Sequence, residues 1–304
     1  MICPAMPGVL AIFGPTGVGK TALALALADR LRARGERPVA VSADALQVYR
    51  GLETLTGVAS PAEQGRLEHR LVSFLPVTAT FSAGEYAARA HDEIDGLLAA
   101  EATPIVVGGT GLYLRAALAD LELRPPPAPG VREALRADLE RRGPRALHGE
   151  LPPTARDRVA PTDAQRILRA AELAAAGHDL HPGPQLWTGE TRHPTRLVAL
   201  TLDRDRLRER IDLRIDAMLA AGVEDEVRAA DAAGASPTAR KALGFRELLD
   251  GDPRAMRTHT KQYARRQLTW LRKLAAQAPP GVVEPTDLTG RDDDPGAVAA
   301  ALLP

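Results

Sequence analysis

Three strand–turn junctions and two arginine-rich stretches carry the chemistry open to this chain. The first junction, Gly14-Pro15-Thr16-Gly17-Val18-Gly19-Lys20-Thr21, fills the G-x-x-x-x-G-K-[ST] pattern. An apolar run of strand length (9–13) precedes it, and a helix-forming run (22–28) follows. Glycines let such a loop curl round an anion with its N–H groups inward. The following helix adds unpaired N–H groups and the positive end of its dipole. Lys20 suits terminal phosphate oxygens, and Thr21 Oγ suits a phosphate-bound Mg2+. The pattern asks for a bound diphosphate or polyphosphate; it does not specify ATP. At the second junction Pro38-Val39-Ala40-Val41-Ser42 runs into Asp44, and at the third Pro104-Ile105-Val106-Val107 runs into Gly108-Gly109-Thr110-Gly111. Ligands of open α/β sheets bind outside the carboxyl ends of the strands, so Asp44 and Thr110 belong at the edge of the glycine loop. Asp44 is a candidate general base; its bland alternative is to cap the next turn. The third strand ends in glycines instead of a metal-binding carboxylate, which counts against a nucleotide kinase, the first generic reading of these groups.

The elements that must position these residues can be read in outline. Residues 50–68 read as a polar loop and 71–75 as a short strand, while Ser82 and Glu85 make a capping box for a helix to about Ala100. After the proline-rich 121–130, no buried strand is evident until 196–200, and helices are expected at 131–142 and 161–176, the latter opened by Pro161. Strands that stop, give way to helices and resume indicate an insertion. The expected fold is therefore α/β: a P-loop NTPase-like three-layer core with a parallel sheet, plus an inserted all-helical domain. The core takes 1–118 and 196–304, and the insertion takes 119–195. A helix over 205–221 puts Leu207, Ile211, Ile215, Met218 and Leu219 on one side and Arg206, Arg210 and Arg214 on another. A helical run over 239–249 is interrupted by Gly244, and 281–284 reads as an edge strand before a short final helix. Between Arg254 and Lys273 stand seven arginines and lysines and no acidic residue, on an amphipathic helix. Uncompensated positive charge there suits a phosphate backbone.

Composition narrows the setting. With 39 basic and 39 acidic residues among 304, global charge gives no support to nucleic-acid binding, so any such surface is local. The single cysteine, Cys3, excludes an intrachain disulfide and a cysteine-cluster metal site. No apolar stretch is long enough to span a bilayer, and no basic region precedes the first apolar run. A cytoplasmic enzyme, monomeric by default and without a membrane partner, is the expectation.

The blocks together resemble the bacterial tRNA dimethylallyltransferase family. They are Gly14 to Thr21, Ser42 to Gly51, Gly108 to Tyr113, Asp163 to Ala170, Ala242 to Glu247 and Tyr263 to Leu271, in the family's order. The resemblance implies transfer of a dimethylallyl group from dimethylallyl diphosphate to N6 of adenosine 37 in the tRNA anticodon loop, with Mg2+ and release of diphosphate. It also implies that the glycine loop holds the donor diphosphate, through Gly14, Thr16, Gly17, Val18, Gly19, Lys20 and Thr21. Arg214, or failing it Arg210, matches a further diphosphate ligand. Asp44 matches the base and Thr110 a residue that contacts the adenosine. The tRNA contacts implied are Asp44, Ala45, Leu46, Gln47, Thr110, Arg132, Gln165, Arg166, Arg169, Arg246, Arg265 and Arg266. The chain departs from the family pattern at Leu55-Thr56-Gly57-Val58-Ala59-Ser60, which lacks a lysine and a proline. Arg70 also replaces one of two paired histidines, and Phe245 replaces a tyrosine.

Overall fold

Val9–Phe13 (β1) is apolar and wholly buried, as a strand must be when helices cover both of its faces. The computed structural model describes residues 8–124, 127–180, 190–278 and 282–303. In chain order β1 is followed by α1 (Lys20–Ala33), β2 (Arg37–Ser42), β3 (Tyr49–Arg50), α2 (Glu53–Thr56), α3 (Pro61–Arg66), β4 (His69–Arg70) and β5 (Leu75–Pro76). Then come α4 (Ala83–Ala99), β6 (Ala102–Gly108), α5 (Gly111–Leu118), α6 (Val131–Arg142), α7 (Pro144–Glu150), α8 (Pro153–Arg156) and α9 (Ala164–Ala175). The chain closes with β7 (Thr195–Thr201), α10 (Arg204–Ala220), α11 (Val223–Ala232), α12 (Phe245–Leu249), α13 (Pro253–Gln277), β8 (Val283–Asp287) and α14 (Pro295–Leu302).

The main sheet runs β4-β2-β6-β1-β7-β8 with every pair parallel, and β3 pairs with β5 separately. The β1–β2 crossover runs one way along the sheet and the β2–β6 crossover runs back. Right-handed crossovers therefore put α1 and α4 on opposite faces. The packing agrees: α1 lies against α14, and α4 lies against α5. Phe13 stands opposite Gly108 and Ala199, so the strands end level and their following turns meet at one edge. Two compact units result, Met1–Leu121 with Leu186–Pro304, and Glu122–Gln185. The second has its own small core of Leu147, Leu151, Ala155, Val159, Ile167 and Ala170.

Several local expectations need correction. The strand expected at 71–75 is displaced to His69–Arg70 and Leu75–Pro76, because Leu71 and Ser73 take left-handed backbone angles (φ 60° and 47°) that no strand accommodates. Residues 50–68 contain two short helices, the second opened by a Ser60/Glu63 capping box that is visible in the sequence. Pro161 does not start its helix; Asp163 caps it by accepting the Arg166 N–H. Gly244 divides the 239–249 run into a 3-10 turn (Ala239–Lys241) and α12, since φ is +94° and an added Cβ would strike Met256. The tail strand begins at Val283, and Gly281 lies outside the described residues. Among the described residues no helix is long and apolar enough to cross a membrane.

One buried contact fixes the end of β2. The hydroxyl of Tyr86, on α4, donates to the Ser42 carbonyl at 3.0 Å inside the core. Tyr86→Phe leaves that acceptor without its donor and should cost about 1–3 kcal/mol, the desolvation penalty of an unpaired buried group. A urea midpoint lowered at unchanged slope is the expected reading. An unchanged midpoint would mean that another donor replaces the hydroxyl.

Candidate active site

The turns after β1, β2 and β6 open into one cavity of about 570 Å³. Thr16, Gly17, Gly19, Lys20 and Thr21 line it from the first turn, Asp44, Ala45, Leu46 and Gln47 from the second, and Thr110 from the third. Arg210 and Arg214 reach it from α10, and Tyr263, Arg266 and Gln267 from α13. Leu55, Ile215, Met218 and Met256 supply apolar wall. Gly14 and Val18 stay behind the loop, and Val18 is fully buried.

Lys20 and Arg214 are held without an ion pair among the described residues. The Lys20 ammonium donates to the Gly14 and Pro15 carbonyls, 3.0 Å each. Burial pushes its pKa down to about 8, with the Arg214 charge adding to the fall and Asp44 opposing it. The Arg214 guanidinium has no hydrogen bond or ion pair among the described residues, and burial lowers its pKa against the pull of Asp44. It rests instead on Gly57, where any Cβ would collide with it. Gln47 builds that surface: its amide accepts from the Ser42 hydroxyl (2.8 Å) and donates to the Gly57 carbonyl (3.0 Å). Arg210 is partly committed, donating to the backbone and carboxylate of Asp292 at 3.1 Å.

On the acceptor side, one Asp44 oxygen takes the Leu46 N–H at 2.9 Å. The turn-capping alternative is thus realised by a side chain that also lines the cavity. Burial raises the Asp44 pKa, while the Leu46 N–H and the Lys20 charge act to lower it. Thr110 Oγ1 lies 3.4 Å from the Tyr263 hydroxyl. Burial, aided by Asp44, pushes that phenol up to about 12, so it remains protonated at neutral pH. Arg266 lies over the Tyr263 ring at 5.6 Å.

Other residues singled out in the sequence lie elsewhere. Arg132 and Arg169 both bind Glu172, a nearly buried carboxylate at 2.6 and 3.1 Å, inside the helical unit. Burial pushes Glu172 up, but the two guanidinium partners outweigh it and hold the carboxyl below its ordinary range. Gln165 and Arg166 are exposed on α9, Arg246 is exposed beside Asp250, and Arg265 is exposed on α13. The basic helix is less naked than its own sequence implies. Arg257 pairs with Asp216 and Lys261 with Asp212, both carboxylates coming from α10. Arg254, Arg265, Arg266, Arg272 and Lys273 have no carboxylate partner among the described residues. Sequence reasoning passed over Gln267, whose only signal is a polar side chain on the buried stripe of an amphipathic helix.

The Lys20 shift has a definite sign. A lysine lowered to about 8 is charged below that pH and loses its charge above it. Calorimetric affinity for inorganic diphosphate should therefore weaken as pH rises through about 8, and Lys20→Ala should remove that step. A wild-type affinity that is flat from pH 6 to 10 would separate Lys20 from anion binding.

Comparison with known proteins agrees along the whole chain. A model of the IPP transferase family matches residues 47–274. The tRNA dimethylallyltransferase of Stenotrophomonas maltophilia is 41% identical over 289 residues, covering 88% of this chain and 90% of its own. That of Streptomyces coelicolor is 38% identical over 294 residues, 89% of each chain. The crystal structure of the full-length tRNA isopentenylpyrophosphate transferase from Bacillus halodurans matches with a TM-score of 0.67 at 28% identity, over 97% of this chain and 95% of that one. A eukaryotic dimethylallyltransferase acting on tRNA shares the fold, with a TM-score of 0.70 at 20% identity over 96% of this chain and 77% of its own. Family profile, relatives and neighbouring structures lead to one conclusion: the chain belongs to the IPP transferase family, the tRNA dimethylallyltransferases.

Proposed function

We propose that Asp44 is the general base, and the 14–21 loop the diphosphate cradle, of a prenyl transfer to RNA. As a tRNA dimethylallyltransferase the chain moves a dimethylallyl group from its diphosphate to N6 of adenosine 37 and releases diphosphate. The observation that carries the residue roles is a single one: Lys20, Arg214, Asp44 and Thr110 face one cavity at the strand ends.

The N6 lone pair is delocalised into the adenine ring, so N6 attacks poorly. As its bond to the prenyl carbon forms and the carbon–oxygen bond breaks, the amino protons become acidic. Asp44 accepts one of them, and a carboxylate made more basic by burial is suited to that task. Charge collects on the departing diphosphate, where Lys20, Arg214, the loop N–H groups and the start of α1 oppose it. Thr110 orients the adenine. The adenosine must leave the anticodon-loop stack to reach these groups, as bases do for other enzymes that react with them.

Mg2+ fits the donor set at the start of α1. Thr21 offers one hard hydroxyl oxygen at the cavity wall, the kind of protein ligand Mg2+ uses when phosphates and water supply the rest. When bound, Mg2+ neutralises charge on the diphosphate. The strand–loop–helix sequence around 14–21 supports a P-loop NTPase-like assignment of the core, used here for a prenyl diphosphate instead of ATP. In this reading the helical segment within 119–195 contacts tRNA through the exposed Gln165 and Arg166, with Arg132 and Arg169 alongside. Arg246 and the free arginines of α13 add phosphate contacts.

Two measurements test the reading. Single-turnover transfer from labelled dimethylallyl diphosphate to unmodified tRNA, read after digestion to nucleosides, should yield the N6-prenyl adenosine. Asp44→Asn should slow it by about 10²–10⁴-fold with both substrates saturating. A rate within about threefold of wild type would end the base assignment, and a loss repaired by raised Mg2+ would move Asp44 to the diphosphate side. Separately, neutralising Arg265 and Arg266 should make log K for tRNA less steep against log salt, by about 0.7–0.9 for each phosphate no longer neutralised. An unchanged slope in the folded double variant would leave both as solvent-facing charges.

A further inference from the structure

Three residues on one stripe of α13, Tyr263, Gln267 and Trp270, meet the two glycine turns in succession. Tyr263 reaches Thr110, and Trp270 packs on Gly111 and on Phe13, the last residue of β1, at 4.8 Å between ring centroids. Between them lies Gln267, a buried side chain in the cavity wall, 5% exposed. Its amide oxygen accepts the Thr16 N–H at 2.9 Å, and its amide nitrogen donates to the Gly109 carbonyl at 2.7 Å. The partners stand 251 and 158 positions away in sequence, on the turns that follow β1 and β6. Both ends of one amide are thus spent on two backbones.

We propose that Gln267 is a positioning residue for prenyl transfer: it ties the 14–19 loop to the Gly109–Thr110 turn and so sets the distance between donor and acceptor. This rests on the reading of the first turn as the donor side and of Thr110 as part of the acceptor side. With both amide ends engaged, Gln267 acts through the backbone it holds: Thr16 belongs to the glycine loop, and Gly109 directly precedes Thr110. A Cβ at position 109 would collide with the Gln267 amide nitrogen, so glycine there leaves room for the tie. The same helix carries Arg265 exposed on its outer side and Arg266 at the cavity rim over the Tyr263 ring. One rigid element therefore carries the RNA-facing charges as well as holding the two substrate-binding turns.

The test is Gln267→Met, which keeps the length and bulk of the side chain and removes both hydrogen bonds. In the folded variant, tRNA affinity and the donor KM should stay within about threefold of wild type, while saturating single-turnover kcat falls on the order of 10²-fold, as for a misplacement near 1 Å. A residue serving stability alone would lower the melting temperature and leave kcat per folded molecule intact. A kcat within threefold of wild type, or a loss confined to KM, overturns the proposal. Should Gln267→Met not fold, Gln267→Asn, one methylene too short to reach both turns, is read by the same kcat-against-KM split. Every comparison is to wild-type transfer, so failure of wild type to prenylate tRNA would instead overturn the reading beneath it.

Discussion

Lys20 and Arg214 face one cavity with Asp44 and form no ion pair among the described residues, and the rest of the site depends on keeping both cations so. Burial lowers the tendency of both Lys20 and Arg214 to stay charged, and the Arg214 charge lowers that of Lys20 further. In an ordinary core such a pair would be neutralised by added carboxylates, because uncompensated buried charge is costly. Here Lys20 is satisfied by backbone carbonyls and Arg214 is held by contact with Gly57. Neither arrangement removes positive charge. Both charges stay available to an anionic ligand, and such preorganisation is what makes electrostatic stabilisation effective.

The helices of the second half of the chain divide their faces accordingly. α10 buries Leu207, Ile211, Ile215 and Met218, sends Arg210 and Arg214 to the cavity, and offers Asp212 and Asp216 to α13. α13 gives up Arg257 and Lys261 to those carboxylates and keeps five other cations without acidic partners among the described residues. Its charge is thus paired in the middle, beside α10, and open at Arg254 and from Arg265 to Lys273. Phosphate contacts position an RNA without reading its sequence, so an open basic stretch beside the cavity needs no specific side-chain chemistry.

How much of this was legible in the sequence follows from which signals are local. The central strands β1, β2 and β6 were legible because each carries a continuous apolar run closed by a turn, and Asp44 and Thr110 were legible because position after such a strand fixes the edge they occupy. Short pieces were not. Leu71 and Ser73 take left-handed angles that nothing in their types demands, and Gly244 reads as a flaw in one helix when it is the start of another. Charge partners across long separations were also invisible. Asp212 neutralises Lys261 from another helix, and Glu172 gathers the distant Arg132 as well as its helical neighbour Arg169. Those two arginines have a structural task before any contact with RNA. Each presents more donors than Glu172 consumes, so holding the carboxylate and touching a phosphate are compatible.

The scaffold around the cations is made of neutral amides for a reason that the donor and acceptor inventory supplies. Joining two backbone segments, one presenting N–H and the other C=O, takes a side chain that both accepts and donates. A lysine or arginine has no acceptor for the Thr16 N–H. An ionised glutamate has no donor for the Gly109 carbonyl and would add a negative charge beside Lys20. Glutamine does both and leaves the charge balance untouched. Gln47 makes a related tie, accepting from the Ser42 hydroxyl and donating to the Gly57 carbonyl beneath Arg214. Had either tie been ionic, it would have changed the charge balance around Lys20 and Arg214.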